Sequence, residues 1–479
     1  MRWFAPATLL LVGWGALAFG AEYPWAYAPL LVFGATIGGL GLAARAPGAG
    51  RFRAVGLALG LVGAAAALQA APLPQAVLSA VSPARFDRDW HALYAAEMPA
   101  EVGRPAPAIS IRPPRTVLGL AFLTGLSLFF LGAARALTAV RPSGVARGLI
   151  VLGVLVALDG IVQAAGGGRL VNGFWYPRKA WEPAAPFINP NHFAGWMVMA
   201  VSVAAGHLGA LVTRALRDAP PDWRRRAIRL GSREGSEILL VGFAVLVMAL
   251  SVFVTGSVSG MVCLAAALAG CAGWATRRLA GWRRLAVPAA AAAALGAAAA
   301  WAGLGAVGTE VAATLASALD AGGRPGLWRD TLRIAGDFPL TGTGLNTYGV
   351  AMLAYQTEGL EMRAVEAHND YLQLAAEGGL LLGVPIVLAA GVFAREVRRR
   401  FREGTDDMRT RWLRVGAVTG LGAAALQALV DFSLQMPGNA VLFALLMAIA
   451  VHRPGPRRSR VQSVRTHSGG GAPPPRSQS

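Results

Sequence analysis

The chain has 479 residues, 55% of them apolar and only 14% charged, and its mean hydropathy is +0.50. A soluble domain averages about a quarter charged residues, so this composition excludes an ordinary soluble enzyme and makes the bilayer the solvent. The formal charge of +19 does not point to nucleic acid, because the basic residues gather in short segments between apolar runs.

A helical span needs about 20 mainly apolar residues to cross about 30 Å of hydrocarbon. In chain order the sequence predicts twelve of them, at 4–20, 28–44, 54–71, 116–133, 148–166, 193–213, 237–255, 258–275, 286–307, 378–394, 413–431 and 437–452. Helices are the expected form, because lipid offers backbone groups no partner and nothing here alternates like a barrel strand. The expected fold class is an all-α polytopic membrane protein. Phe4–Phe19 reads as a retained first span and not a signal peptide, since many similar stretches follow it.

Charge sets the orientation. With Arg2 in the cytoplasm, 32 of the 44 Lys and Arg residues fall on the cytoplasmic side of an alternating topology and 12 on the other. The positive-inside bias therefore predicts a bacterial inner-membrane protein with both termini cytoplasmic. Arg224-Arg225-Arg226 and Arg398-Arg399-Arg400 read as topology determinants that also attract anionic headgroups. The organisation expected is nine spans over 1–307, a long periplasmic loop over 308–377, three spans over 378–452 and a basic cytoplasmic tail over 453–479. That tail, rich in Gly, Pro, Ser and Arg, is expected to be disordered.

Three outer segments exceed an ordinary connection: 72–115 with Trp90, 167–192 with Phe174-Trp175-Tyr176, and 308–377. Loops of that length are usually functional or disordered. Their aromatic content argues against disorder, with an interfacial aromatic belt as the competing explanation. Asp159 and Gln163 lie inside a span, where polar groups mark a pathway or, more modestly, a helix–helix hydrogen bond. Cys263 and Cys271 share one apolar run and imply no disulfide framework. The histidines and acids make no spaced metal set. Gly342-x-Gly344 lacks the third glycine of a dinucleotide site and is a turn.

The longest outer loop carries Gly323-Arg324-Pro325-Gly326-Leu327-Trp328, then Pro339-Leu340-Thr341-Gly342-Thr343-Gly344, then His368-Asn369-Asp370, closing at Glu377-Gly378-Gly379. In this order the motifs resemble the O-antigen ligase and polymerase superfamily, the Wzy_C group of membrane glycosyltransferases. Asn189-Pro190-Asn191-His192 resembles the family's entry to a middle span, and the stretch from Asp431 to Asn439 its last outer turn. At Thr255-Gly256-Ser257-Val258 the sequence departs from the family, because Val258 stands where an arginine thought to contact the donor diphosphate is common. Arg324 is then the best residue to carry over.

The resemblance implies a GT-C-like fold and a metal- and cofactor-independent transfer of a glycan from undecaprenyl diphosphate to an acceptor hydroxyl. The acceptor is a lipid A core, a growing glycan or a protein. Such a leaving group needs preorganised cations or N–H donors, and arginine binds phosphate oxygens bidentately while staying charged. Arg324 is the first candidate. Arg329 and Arg333 follow on the same predicted helix but on another face from residues 324, 328 and 331. The competing reading for all three is snorkelling to headgroups.

His368 is the candidate base or positioning group for the acceptor hydroxyl, with Asn369 and Asp370 as caps of the helix that starts there. That helix start would also offer N–H groups to phosphate. Trp328 and Asn369, with Asn191 and His192 at another outer edge, complete the candidate substrate-binding set. For His192, lining the acceptor cleft and capping a helix are equally open. The other function classes are a lipid-linked glycan transporter and a noncatalytic polysaccharide-assembly protein. Transport is disfavoured because mid-membrane ionisable pairs and an internal repeat are not apparent.

Overall fold

The structure, a computed structural model, describes residues 1–44, 52–95, 107–140, 142–167, 170–176, 184–217, 231–277, 324–357 and 363–453. The predicted span at 286–307, the Arg224-Arg225-Arg226 run, the loop up to Gly323 and the tail after Arg453 lie outside the described residues. Every regular element among the described residues is helical. In chain order these are α1 (Phe4–Leu17), α2 (Pro24–Ala43), α3 (Arg53–Ala70), α4 (Gln75–Val81), α5 (Trp90–Ala95), α6 (Pro113–Ala136), α7 (Pro142–Gly166) and α8 (Pro190–Arg217). They continue with α9 (Arg233–Val254), α10 (Val258–Thr276), α11 (Arg324–Asp337), α12 (Tyr348–Tyr355), α13 (Asp370–Glu403), α14 (Met408–Gln427) and α15 (Pro437–Val451).

This is an all-α, multi-pass membrane architecture. Eight helices, α2, α3, α6 to α10 and α13, are long and apolar enough to cross a bilayer. The three other predicted spans among the described residues fall short for identifiable reasons. At 14 and 15 residues, α1 and α15 rise only about 21–23 Å at about 1.5 Å per residue. Helix α14 carries Arg409, Arg411 and Arg414 in its first two turns.

The centre of the bundle is α8, whose side chains are buried almost continuously from His192 to Ala204, with α7, α9, α10 and α14 packed around it. Where lipid removes the hydrophobic drive between helices, small residues let backbones approach. The α2–α6 crossing shows this, since a Cβ on Gly132 would sit 2.0 Å from the Gly38 carbonyl oxygen. At one end of the bundle the fully buried Arg414 joins Asp406, through Nε to Oδ2 at 2.9 Å, to the carbonyls of Ala450 and His452. Arg399 and Arg400 pair there with Glu396 and Glu403.

At the other end a second, smaller core forms outside the spans from Trp90, Ile334, Phe338, Tyr348, Met352 and Ala367. Helix α13 anchors it. At Gly379 the helix breaks, with φ 52° and ψ −154°, a backbone region open to glycine only. The break separates an outer piece, Asp370–Gly378, from the spanning piece that follows. It also frees two amides, so that Leu380 donates to the Pro339 carbonyl at 2.9 Å and Leu381 to Leu340 at 2.8 Å. Thr343 and Gly344 in turn donate to the carbonyls of Ala376 and Glu377, each at 3.0 Å. The predicted turn at Gly342-x-Gly344 is therefore locked onto α13.

Two buried side chains complete the lock. Gln69, at the end of α3, donates to the carbonyls of Thr341 (2.7 Å) and Glu377 (2.9 Å) and accepts from the Leu345 amide at 3.0 Å. The Glu377 carboxylate accepts from the amides of Asn346 (2.9 Å) and Tyr348 (2.8 Å), filling the donors at the start of α12. Gly342, at φ 63°, is pressed so closely that a Cβ would lie 2.1 Å from the Glu377 carbonyl oxygen. Gly342→Ala should therefore lower stability by at least about 1–3 kcal/mol from backbone strain alone. Gly336→Ala on exposed α11, where a Cβ meets nothing within 4 Å, should be neutral or slightly stabilising. Thermal unfolding of the two variants in detergent checks this contrast.

Candidate functional site

The site gathers where the outer piece of α13 begins. His368 precedes the helix at φ 50°, a left-handed conformation that a non-glycine residue holds only when its surroundings impose it. Asn369 is the cap. Its side-chain oxygen accepts from the amides of Tyr371 and Leu372, both at 3.0 Å. The Asp370 amide donates to the Ala428 carbonyl at 2.9 Å. The first amides of α13 are thus all committed within the protein, which overturns the expectation that this helix start offers N–H groups to a phosphate. Asn369 takes the capping role, whereas Asp370 does not cap.

His368 faces the loop between α14 and α15. Its Nδ1 lies 3.9 Å from Oδ1 of the fully buried Asp431. The Phe432 ring stands edge-on to both His368 and His192, with each pair of ring centroids 4.7 Å apart. Two of the candidate histidines therefore flank one aromatic ring. Burial pushes the Asp431 carboxyl up from the usual range, opposed by the neighbouring polar groups of Ser433 and Phe432 and by the charge of Arg324.

Arg324 opens α11, which is tied to the same place. One turn on, Trp328 donates its indole N–H to the Ala367 carbonyl at 3.0 Å, and Thr331 bonds the Tyr348 hydroxyl at 2.7 Å. Trp328 thus ties the start of α11 to the residue before His368, while Thr331 faces the second core. Trp328 is held in structural work there. Arg329 lies exposed, and Arg333 pairs with the buried Asp330 at 3.2 Å.

At the entry to α8, the capping alternative for His192 gives way to Asn189. The Asn189 side chain accepts from the Asn191 amide at 2.8 Å, and its carbonyl accepts from the amides of His192 and Phe193, both at 3.1 Å. His192 is buried beside Phe432, and its carbonyl accepts from Asn439 at 2.9 Å. Asn191 accepts from the Ser257 hydroxyl at 2.7 Å and, at its carbonyl, from Gln427 at 3.0 Å. Ser257 caps α10, so Val258 sits in the first turn of that helix, next to the Asn191 bond.

Behind His368 runs a chain of amides and acids. Gln435 donates to Asp370 at 2.7 Å, Gln373 donates to Gln435 at 3.0 Å, and Gln373 accepts from the Ala367 amide at 2.9 Å. Burial pushes the Asp370 carboxyl up to about 7, opposed by Gln435 and reinforced by Asp431 and Glu377. The outer Glu377 is likewise pushed up to about 7 by burial, against the donors from Asn346 and Tyr348. Asp159 and Gln163 hold the loop that follows α7, through Asn172 and the Leu170 carbonyl. Among the described residues no group of three His, Cys, Asp or Glu side chains is arranged to hold a metal ion.

Sequence reasoning assigned no role to Asp431, Phe432, Glu377 or Gln69. A signal existed for two of them, since Asp431 and Glu377 are acids set at the edges of apolar runs inside motifs already singled out. Gln69 and Phe432 had none, because an amide near a helix end and a phenylalanine in a turn are ordinary.

Residues 243–387 match the sequence model of the Wzy_C family, described as O-antigen ligase. The chain carries a Wzy_C domain. The match runs from α9 through the turn of α10 and the long outer loop to the break in α13 and the start of its span, and so includes Arg324, His368 and Glu377. His192 and Asp431 lie beyond it on either side, brought to the Wzy_C domain by the packing of α8 and the α14–α15 loop. No curated protein matches the chain. Joining or polymerising glycans at a membrane is the general activity that goes with this family.

The Asp370 shift has a consequence for stability. Its folded pKa lies above the unfolded value of about 3.9, so its contribution is full below about pH 4 and is lost as pH rises through 7. Wild-type protein should therefore lose denaturation resistance between about pH 4 and 7, and Asp370→Asn should lose less, as measured by chemical denaturation across that range.

Proposed function

We propose that the protein transfers a glycan from undecaprenyl diphosphate to an acceptor hydroxyl at the periplasmic face of a bacterial inner membrane, with both termini in the cytoplasm. The observation that carries this proposal is the convergence of Arg324, His368 and Asp431 at one end of the bundle, inside or beside the Wzy_C match. The arginine-rich network of Arg399, Arg400 and Arg414 lies at the opposite end, as the positive-inside bias requires of a cytoplasmic edge.

In this mechanism the acceptor oxygen attacks the sugar C1 while the bond from C1 to the diphosphate oxygen breaks, its electron pair leaving with the diphosphate. Arg324 faces the charge that develops there. His368 takes the hydroxyl proton. Asp431 lies beside His368 Nδ1, where a carboxylate favours the tautomer with its proton on that nitrogen and leaves Nε2 to accept. The acceptor is a lipid A core, a growing polymer or a protein side chain, each of which offers the required hydroxyl.

With purified protein and lipid-linked glycan, His368→Ala should lower transfer by about 10²–10⁴-fold and Arg324→Ala by about 10²–10³-fold. Exposed Arg329→Ala should stay within a few-fold of wild type. Near-normal transfer by the His368 variant, with expression unchanged, would remove the catalytic assignment.

A further inference from the structure

The aromatic residues of the second outer segment come together with those of the first outer turn. Phe19 stacks on Trp175 with ring centroids 4.9 Å apart and planes at 24°, and Tyr23 meets Trp175 at 5.3 Å. Trp25 and Phe174 join from the rim, at 6.1 and 6.4 Å from Phe19. The backbone beneath is held in an unusual form, since Phe19, Gly20 and Ala21 all have φ between 57° and 70°. Two of these are not glycine, so packing must impose the conformation.

An interfacial belt turns Trp and Tyr polar tips toward headgroups and water. Here two of the indoles turn inward: Trp175 donates its N–H to the Tyr23 hydroxyl at 3.2 Å and Trp14 donates to the Ala26 carbonyl at 2.8 Å. What the cluster presents outward is ring surface, with Trp25 47% and Phe174 70% exposed. An outward aromatic ring face suits the apolar C–H face of a pyranose ring.

Packing also links the cluster to the starts of α8 and α15. A Cβ on Gly20 would lie 2.8 Å from the Phe187 ring, and Phe187 packs against Phe193, the neighbour of His192. From the other side, a Cβ on Gly438 would lie 2.9 Å from the Gly20 carbonyl oxygen, one residue before the Asn439 that holds His192. We infer that Trp25 and Phe174 form a stacking subsite for sugar rings of the glycan carried on the lipid donor, beside the centre of His368 and His192. This inference rests on the proposed transfer activity for the identity of the occupant.

The test uses full-length protein in nanodiscs and, as probe, glycan released by mild acid from the producing cell's lipid-linked pool. Wild type and His368→Ala should bind this glycan equally by calorimetry. The Trp25→Ala/Phe174→Ala double variant should bind about 4- to 100-fold more weakly, at about 2- to 10-fold per ring. Its KM for the intact donor should rise by the same factor with kcat unchanged. Equal binding by the double variant overturns the subsite. So does Trp25 emission, taken as wild type minus Trp25→Phe, that brominated lipid quenches and added glycan leaves unaltered, because that marks a membrane anchor. Failure of the transfer reading shows separately, as undiminished transfer by His368→Ala, while the binding measurement still decides the subsite.

Discussion

The outer loop reaches the bundle because α13 stops being a helix for one residue. At Gly379 the chain turns through a conformation that only glycine adopts readily, and the released amides of Leu380 and Leu381 take the carbonyls of Pro339 and Leu340. A loop over lipid must find a partner for every buried backbone group. Here the loop satisfies the helix and the helix satisfies the loop. The Glu377 carboxylate, two residues earlier, caps α12, and Gln69 stitches both partners to α3. His368 and the start of α11 inherit their positions from that lock.

The electrostatics around His368 follow from burial. Asp431, Asp370 and Glu377 lie within reach of one another, and each is pushed toward its neutral form by desolvation more than by any other influence. A cluster of buried acids facing a phosphorylated lipid would repel it if fully ionised. For Asp370 and Glu377, both pushed up to about 7, partial protonation near neutral pH weakens that repulsion. The charge of Arg324 opposes the effect of burial on Asp431 and draws that carboxyl back toward the ordinary range.

The helical membrane architecture was legible in the sequence because lipid imposes it through composition and length alone. The bounds at α1 and α15 agree with the sequence to within three residues, whereas α14 begins five residues before the span predicted at 413–431, with arginines in its first two turns. The motif order pointed to Arg324 and His368, and the capping potential of Asn369 could be anticipated from its type. The partnership of His368 with Asp431, across 63 positions of sequence, could not, since it depends on how α14 returns the chain to the outer end. The anion-binding role expected of the α13 start failed for a local reason, because the Asn369 side chain and the Ala428 carbonyl had already taken those amides.

Sidedness is the hinge of the account, because a lipid-linked donor and an acceptor hydroxyl meet the cluster only if it faces away from the cytoplasm. The most direct measurement is labelling of single cysteines, placed at His368 and at Arg399 in a chain whose buried Cys263 and Cys271 are replaced by alanine, with a membrane-impermeant maleimide on intact spheroplasts. Labelling is expected at position 368 from outside and at position 399 only after the membrane is opened. Labelling at 399 from outside, with 368 protected until lysis, would contradict it.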